Sequence, residues 1–187
     1  MRIVGGARRG LRLAEVGTGD EAARLRPTSD RVREAIFNLL QNSPRPDPVP
    51  GARVLDLFAG TGALGLEALS RGAERVTFVE DGAPARALIR RNIELCQAMS
   101  VTDLYRRDAT GMGQNRGRPF SLVFLDPPYG RSLGEKALAS SAAGGWLAPG
   151  AIVVWEENAP MAPPDGFTLL DQRRYGDTWI TLLEHSP

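Results

Sequence analysis

The sequence predicts an α/β fold: a seven-stranded, mostly parallel sheet with helices on both faces and an antiparallel C-terminal hairpin. A small β-hairpin and helix extend it at the N-terminus. Three observations lead there. Short apolar runs alternate with amphipathic segments from residue 53 to residue 157, the pattern of βαβ units whose crossovers cover a parallel sheet. The last two apolar runs are separated only by Gly176 and Asp177, a two-residue turn that forces an antiparallel pair. The stretch PRPDPVPG, residues 44–51, suits neither helix nor central strand, and it divides an extension (residues 1–50) from a core (residues 51–187).

Taken in order, residues 2–16 read as two extended pieces around Gly5, Gly6 and Gly10, a hairpin. TSDRVREAIFNLLQ then places Val32, Ala35, Ile36, Leu39 and Leu40 on one helical face, with Thr28 or Ser29 as N-cap. In the core, RVLDLF (53–58) leads into the helix ALGLEALSRG, and RVTFVE (75–80) into PARALIRRNIELCQ. DLYRRD (103–108) and SLVFLD (121–126) follow, then the helix GEKALASSAA and the strands AIVVWEE (151–157), FTLLDQRRY (167–175) and TWITLLEH (178–185). Trp146, Trp155 and Trp179 read as packing residues.

Composition excludes several classes. Hydrophobic content of 42% and charged content of 24% are ordinary for a globular chain. No apolar run approaches the ~20 residues that span a bilayer, and MRIVGGARRG lacks the apolar segment of a signal peptide, so the expectation is a cytoplasmic protein with no membrane partner. The single cysteine, Cys96, excludes an internal disulfide and a cysteine zinc cluster and reads as a core residue. No metal site is visible, and the lone histidine, His185, is assigned no role. Net charge is only +1, but Arg2, Arg8, Arg9 and Arg12 fall within the first thirteen residues without an acid among them. Lys136 is the only lysine, so positive charge sits on guanidinium groups, which fork onto phosphates and stack on bases.

The chemistry is concentrated at strand ends. DLFAGTGALG follows the first core strand, with Gly60, Gly62 and Gly65 in G-x-G-x-x-G spacing, which signals a ligand close to the backbone at a helix N-terminus. Asp56 precedes this loop, and Glu80 ends the second strand about 20 residues on, where an acid holds ribose hydroxyls. A pyrophosphate suits bare N–H groups. S-adenosylmethionine instead carries an ammonium and a sulfonium, which call for carboxylates, and Asp56 and Asp126 supply them. Asp108, read as ending the third strand, is placed to take the adenine amino group.

LVFLDPPYG, residues 122–130, ends a buried strand in two prolines. An exocyclic amine on a nucleobase is a poor nucleophile because its lone pair is delocalised. Fixing its hydrogens against the Asp126 carboxylate and the Pro127 carbonyl, on a backbone stiffened by Pro127 and Pro128, aims that lone pair at a methyl donor. Tyr129 offers a face for the base, and such stacking is worth ~1–3 kcal/mol. The sequence leaves the roles of Glu156 and Glu157 open.

RIVGGARRGLRL, LRPTSDRVREAIFNLL, DLFAGTGALGLEALSRGA and FLDPPY together resemble the bacterial 16S ribosomal RNA guanine-N2 methyltransferases of the RsmD type, over nearly the whole chain. The resemblance implies a Rossmann-like class I methyltransferase core, S-adenosylmethionine as cofactor, guanine as the base, and 16S RNA or the small ribosomal subunit as partner. Carried over by position, Asp56, Phe58, Gly60 and Gly62 would bind the methionine side of the cofactor, Glu80 its ribose, and Asp108 with Ala109 its adenine. Arg26 and Thr28 would lie over the cofactor, and Asp126, Pro127, Pro128 and Tyr129 would hold the target amine and base. Tyr129 stands where relatives often have phenylalanine. Arg2, Arg8, Arg9 and Arg12 would form the RNA-docking face, and a monomer is the default expectation at this size.

Three rival readings remain: a DNA adenine or cytosine amino-methyltransferase, which shares D-P-P-Y; a nicotinamide oxidoreductase, which shares the glycine loop but needs a substrate domain; and a non-catalytic ribosome assembly factor.

Overall fold

Short apolar runs, whose successive side chains point to opposite faces, build one seven-stranded sheet, seen in a computed structural model that describes residues 1–15 and 28–187. Its strands are β1 (Arg53–Leu57), β2 (Arg75–Val79), β3 (Thr102–Tyr105), β4 (Phe120–Leu125), β5 (Leu147–Glu157), β6 (Phe167–Tyr175) and β7 (Thr178–His185). They lie in the order β3-β2-β1-β4-β5-β7-β6. The first five pair in parallel, whereas β7 runs antiparallel to both β5 and β6, with Tyr175 opposite Thr178 across the predicted tight turn.

Alternation gives the sheet two buried faces. Val54, Val76, Phe78, Leu122 and Phe124 face helices α1 (Asp30–Gln41), α2 (Ala63–Ser70) and α3 (Ala83–Leu95). Leu55, Leu57, Val123, Leu125 and Trp155 face α4 (Leu133–Ala143). Gly65 in α2 permits the close packing: a Cβ there would stand 2.5 Å from the Phe78 ring and 2.7 Å from Val76. Trp146 stacks on Phe120 with 6.1 Å between ring centroids, Trp155 is fully buried, and Cys96 lies in the core. Trp179 is only half-buried. Among the described residues, no helix is long and apolar enough to cross a membrane.

Three expectations about local structure are corrected. The N-terminal hairpin is minimal: one antiparallel bridge, Arg2 to Arg12, encloses a 3-10 turn at Gly6–Arg8. Helix α1 is capped by Ser29, whose Oγ accepts from the Val32 amide, and its buried stripe is Arg33, Ile36, Phe37 and Leu40. The stripe is rotated from the predicted one because Phe37 packs on Phe124 at 5.6 Å and Arg33 finds a buried carboxylate on α2. Finally, β3 ends at Tyr105, three residues before Asp108.

That carboxylate belongs to Glu67, which is fully buried. It accepts from the Val4 and Gly5 amides at 2.9 and 2.8 Å, from Arg33 Nε at 3.4 Å and from Arg71 Nε at 2.9 Å. Ser70, one turn on, donates to the Gly5 carbonyl at 2.6 Å and accepts from the Arg8 amide at 2.9 Å. The Gly5–Gly6 pair follows from this contact, since a Cβ on Gly6 would overlap the Ser70 carbonyl oxygen at 1.9 Å. The backbone of the N-terminal residues is thus stitched to the Glu67 and Ser70 side chains of α2.

Candidate active site

In an open α/β sheet, ligands bind beyond the carboxyl ends of the strands where the strand order reverses. Here that point lies between β1 and β4, because β1 leads outward to β2 while β4 leads the other way to β5. A cavity of about 380 Å³ opens there, within the usual range for small-molecule sites. Its walls come from the glycine loop (Phe58 to Thr61), from Asp56 and Glu80, from Thr28, and from Asp126 through Tyr129. Two distant sequence signals, the glycine loop and D-P-P-Y, therefore line one cavity.

The loop is folded around carboxylates. Phe58 and Gly62 adopt left-handed conformations, with φ of 57° and 77°, and turn the chain sharply between β1 and α2. The Gly60 amide donates to Glu80 Oε2 at 2.9 Å, the Gly65 amide to Asp56 Oδ2 at 3.0 Å, and the Gly62 amide to the Ala59 carbonyl at 2.7 Å. Glu80 Oε1 also accepts from the Gly82 amide at 2.8 Å. The amides of all three motif glycines are thereby occupied, and the loop presents acid to the cavity. Such a lining suits a cationic ligand and weighs against a dinucleotide.

Electrostatics agree. Burial, with the Glu80 charge adding to it and the Gly65 hydrogen bond opposing it, pushes the Asp56 carboxyl up to about 8. Burial also raises Glu80. Asp126 is pushed well above the ordinary carboxylate range by burial first, then by the charges of Glu156 and Asp56. The site is short of positive charge, and a bound cation would relieve that.

The remaining candidates are placed unevenly. Asp126 directly follows β4, and Tyr129 is half-buried with its hydroxyl donating to Glu156 Oε1 at 3.0 Å. Thr28 is buried and donates to Glu156 Oε2 at 2.8 Å. Asp108 turns its carboxylate into its own 3-10 turn, accepting from the Thr110 amide at 2.8 Å and hydroxyl at 2.7 Å, which holds its carboxyl below the usual value. Neither Asp108 nor the buried Ala109 is part of the cavity lining. Arg26 lies outside the described residues. Of the four N-terminal arginines, Arg2 is near Asp30 at 3.7 Å and Arg8 Nε donates to the Cys96 carbonyl at 2.8 Å. Arg9 and Arg12 are exposed and make no ion pair among the described residues. His185 is buried, with Nδ1 3.1 Å from the Ala148 carbonyl, a packing role. The sequence leaves Glu156 open, and its hydrogen bond with Thr28 comes from 128 positions away, which no local pattern reveals.

The profile of the family described as Conserved hypothetical protein 95 matches residues 1–184. Ribosomal RNA small subunit methyltransferase D of Escherichia coli (strain K12) is 38% identical over 98% of this chain and 89% of its own length. The protein of the same name from Haemophilus influenzae is 33% identical over 94% and 89%. A solved structure described as a putative methyltransferase yhhF from Escherichia coli superposes with a TM-score of 0.81 at 33% identity, covering 100% of this chain and 98% of that one.

Proposed function

From the premise that this chain belongs to the RsmD family, whose profile is described as Conserved hypothetical protein 95, we propose that it transfers a methyl group from S-adenosylmethionine to the 2-amino group of a guanine in 16S ribosomal RNA of the small subunit. The observation that carries this reading is the shared cavity, which joins an acid-lined glycine loop to the D-P-P-Y turn. The donor set fits the cofactor: Asp56 meets the need for a negative charge near its cationic end, and Glu80, fixed by two backbone amides, is oriented for its ribose hydroxyls. When bound, the cofactor supplies an activated methyl group.

The chain's own residues supply position and charge. Asp126 and the Pro127 carbonyl accept the two amine hydrogens, so the nitrogen lone pair points along the transfer axis. Tyr129 stacks on the extruded base. Once methylated, the nitrogen would be an acidic ammonium, and its proton would pass to Asp126 or to water. The exposed Arg9 and Arg12 form the part of the N-terminal arginine cluster best able to meet phosphate.

The decisive experiment supplies radiolabelled cofactor to small subunits and to naked 16S RNA from cells lacking the enzyme, with nucleoside analysis of the product. Label in 2-methylguanosine is expected. Label in another base would overturn the guanine assignment. No label on either RNA, with cofactor binding intact, would favour a DNA substrate or an assembly role.

A pH effect belongs to the same site. An acid raised in the folded state stabilises that state most below its unfolded value, about 3.9, and this contribution is lost as pH rises toward 8. Asp56 is therefore largely protonated at pH 6–7 in the free protein, and binding a cation should expel that proton. Titration calorimetry in buffers of differing ionisation enthalpy should show about one proton released per cofactor bound, and Asp56→Asn should abolish the release. A binding enthalpy independent of buffer would contradict the assignment.

A further inference from the structure

The acidic end of β5 is built into the back of the site. Glu156 is buried and is not part of the cavity lining, yet it grips two residues that are: it accepts from the Tyr129 hydroxyl at 3.0 Å and from the Thr28 hydroxyl at 2.8 Å. The same Thr28 oxygen stands 3.4 Å from Asp126 Oδ2. Its neighbour Glu157 accepts from the Gly130 amide at 3.3 Å and the Asn158 amide at 3.0 Å, so the strand end clamps the D-P-P-Y turn at consecutive residues.

We propose that Glu156 is a positioning residue for the transfer: it fixes the Tyr129 ring through its hydroxyl and, by taking the single Thr28 proton, withholds that donor from the Asp126 carboxylate beside it. The proposal rests on the methylation reading above and goes beyond it. A phenylalanine at position 129 would stack a base but leave no handle by which the ring could be held, whereas a half-buried tyrosine hydroxyl needs a partner. Thr28 has one proton, so it can donate to only one of the two carboxylates at a time, and the shorter distance goes to Glu156. Stability alone does not favour burying a second carboxylate beside Asp126. Such a pair makes sense where one acid must be both oriented and kept ready to accept a proton.

The titratable groups acting on Asp126 are the carboxylates of Glu156, Asp56 and Glu157, and the Tyr129 phenol lies against the same pair. Glu156→Gln removes the strongest of the three charges while keeping an acceptor for a hydroxyl. Two measurements test the proposal. The first follows the carboxyl carbon of Asp126 by NMR across pH in the cofactor-free protein. Its midpoint is expected to fall by about one pH unit in Glu156→Gln, and an unmoved midpoint would overturn the link to Asp126.

The second measures kcat/KM for RNA in Glu156→Ala, alone and in a Tyr129→Phe background, with cofactor affinity as control. The single change is expected to cost about tenfold, the worth of one well-buried hydrogen bond, and clearly less once the tyrosine hydroxyl is gone. Equal losses in the two backgrounds would overturn the link to Tyr129. A shifted midpoint in a chain that methylates no RNA would overturn the methylation reading instead, so the two failures are distinguishable.

Discussion

Asp126→Ala is expected to lower the single-turnover rate of methyl transfer at saturating cofactor by at least about 10²–10³-fold, a larger loss than that in cofactor affinity, because Asp56 still offers a carboxylate to the cofactor's cationic end. The asymmetry follows from where the side chain sits. Asp126 directly follows β4, at the junction between the glycine loop and D-P-P-Y, whereas the loop's own hydrogen bonds run from Gly60 to Glu80 and from Gly65 to Asp56. Removing Asp126 leaves that cofactor scaffold intact but deprives the amine of the acceptor that orients it and takes its proton. Asp126→Asn keeps the shape and loses the charge, so it should also be severely impaired, which separates orientation by shape from stabilisation of developing positive charge. The raised proton affinity of Asp126 adds a pH signature: kcat/KM should fall on the acid side as the carboxyl protonates, with a midpoint above the ordinary carboxylate range. An Asp126→Ala protein that transferred methyl at an unchanged rate would remove D-P-P-Y from the chemistry. One that restored ribosome assembly in cells without methylating would establish the assembly role.

The parts of this site that sequence made legible are those whose chemistry is local. A glycine loop between strand and helix, an acid one strand later and a double proline at a strand end each carry their meaning within a few residues, and the parallel sheet brings them to one edge without further information. The C-terminal hairpin was equally legible, because a two-residue turn leaves one topology. What escapes a sequence pattern has two causes here, a local cap at Asp108 and contacts across the chain at Arg33. Asp108 looked like a fourth strand-end acid by spacing, but β3 stops at Tyr105 and the side chain caps its own turn. The stripe of α1 was displaced by one position because Arg33, a residue that periodicity assigns to solvent, has a buried partner. One clue was present: Glu67 stands in ALGLEALS, where every residue of α2 is buried, and a carboxylate in such a helix requires a cation from elsewhere.

That pair yields the second large expected effect. Glu67→Ala should destabilise the protein by about 3–5 kcal/mol, the cost of removing one partner from a buried ion pair. Arg33 is fully buried, and without Glu67 it keeps only Asp30 and the carbonyls of Thr28 and Arg2. The Val4 and Gly5 amides lose their acceptor at the same time, and each orphaned donor adds its desolvation penalty. For a chain of this size the melting temperature should drop by roughly 10 °C, and Glu67→Gln, which keeps an acceptor for the amides, should lose less. Hydrogen exchange distinguishes how the energy is lost. If the N-terminal residues form one cooperative unit with α2, protection falls throughout the molecule; if they detach first, the Val4 and Gly5 amides exchange fast while β1 and β4 stay protected. In either case activity should fall with stability, because Arg33, which Glu67 anchors, donates to the Thr28 carbonyl, and the Thr28 hydroxyl touches Glu156 and Asp126. An unchanged melting temperature with normal protection at Val4 and Gly5 would show that the N-terminal residues are held by their apolar contacts alone, with Ile3 and Leu13 in the shared core as the groups responsible.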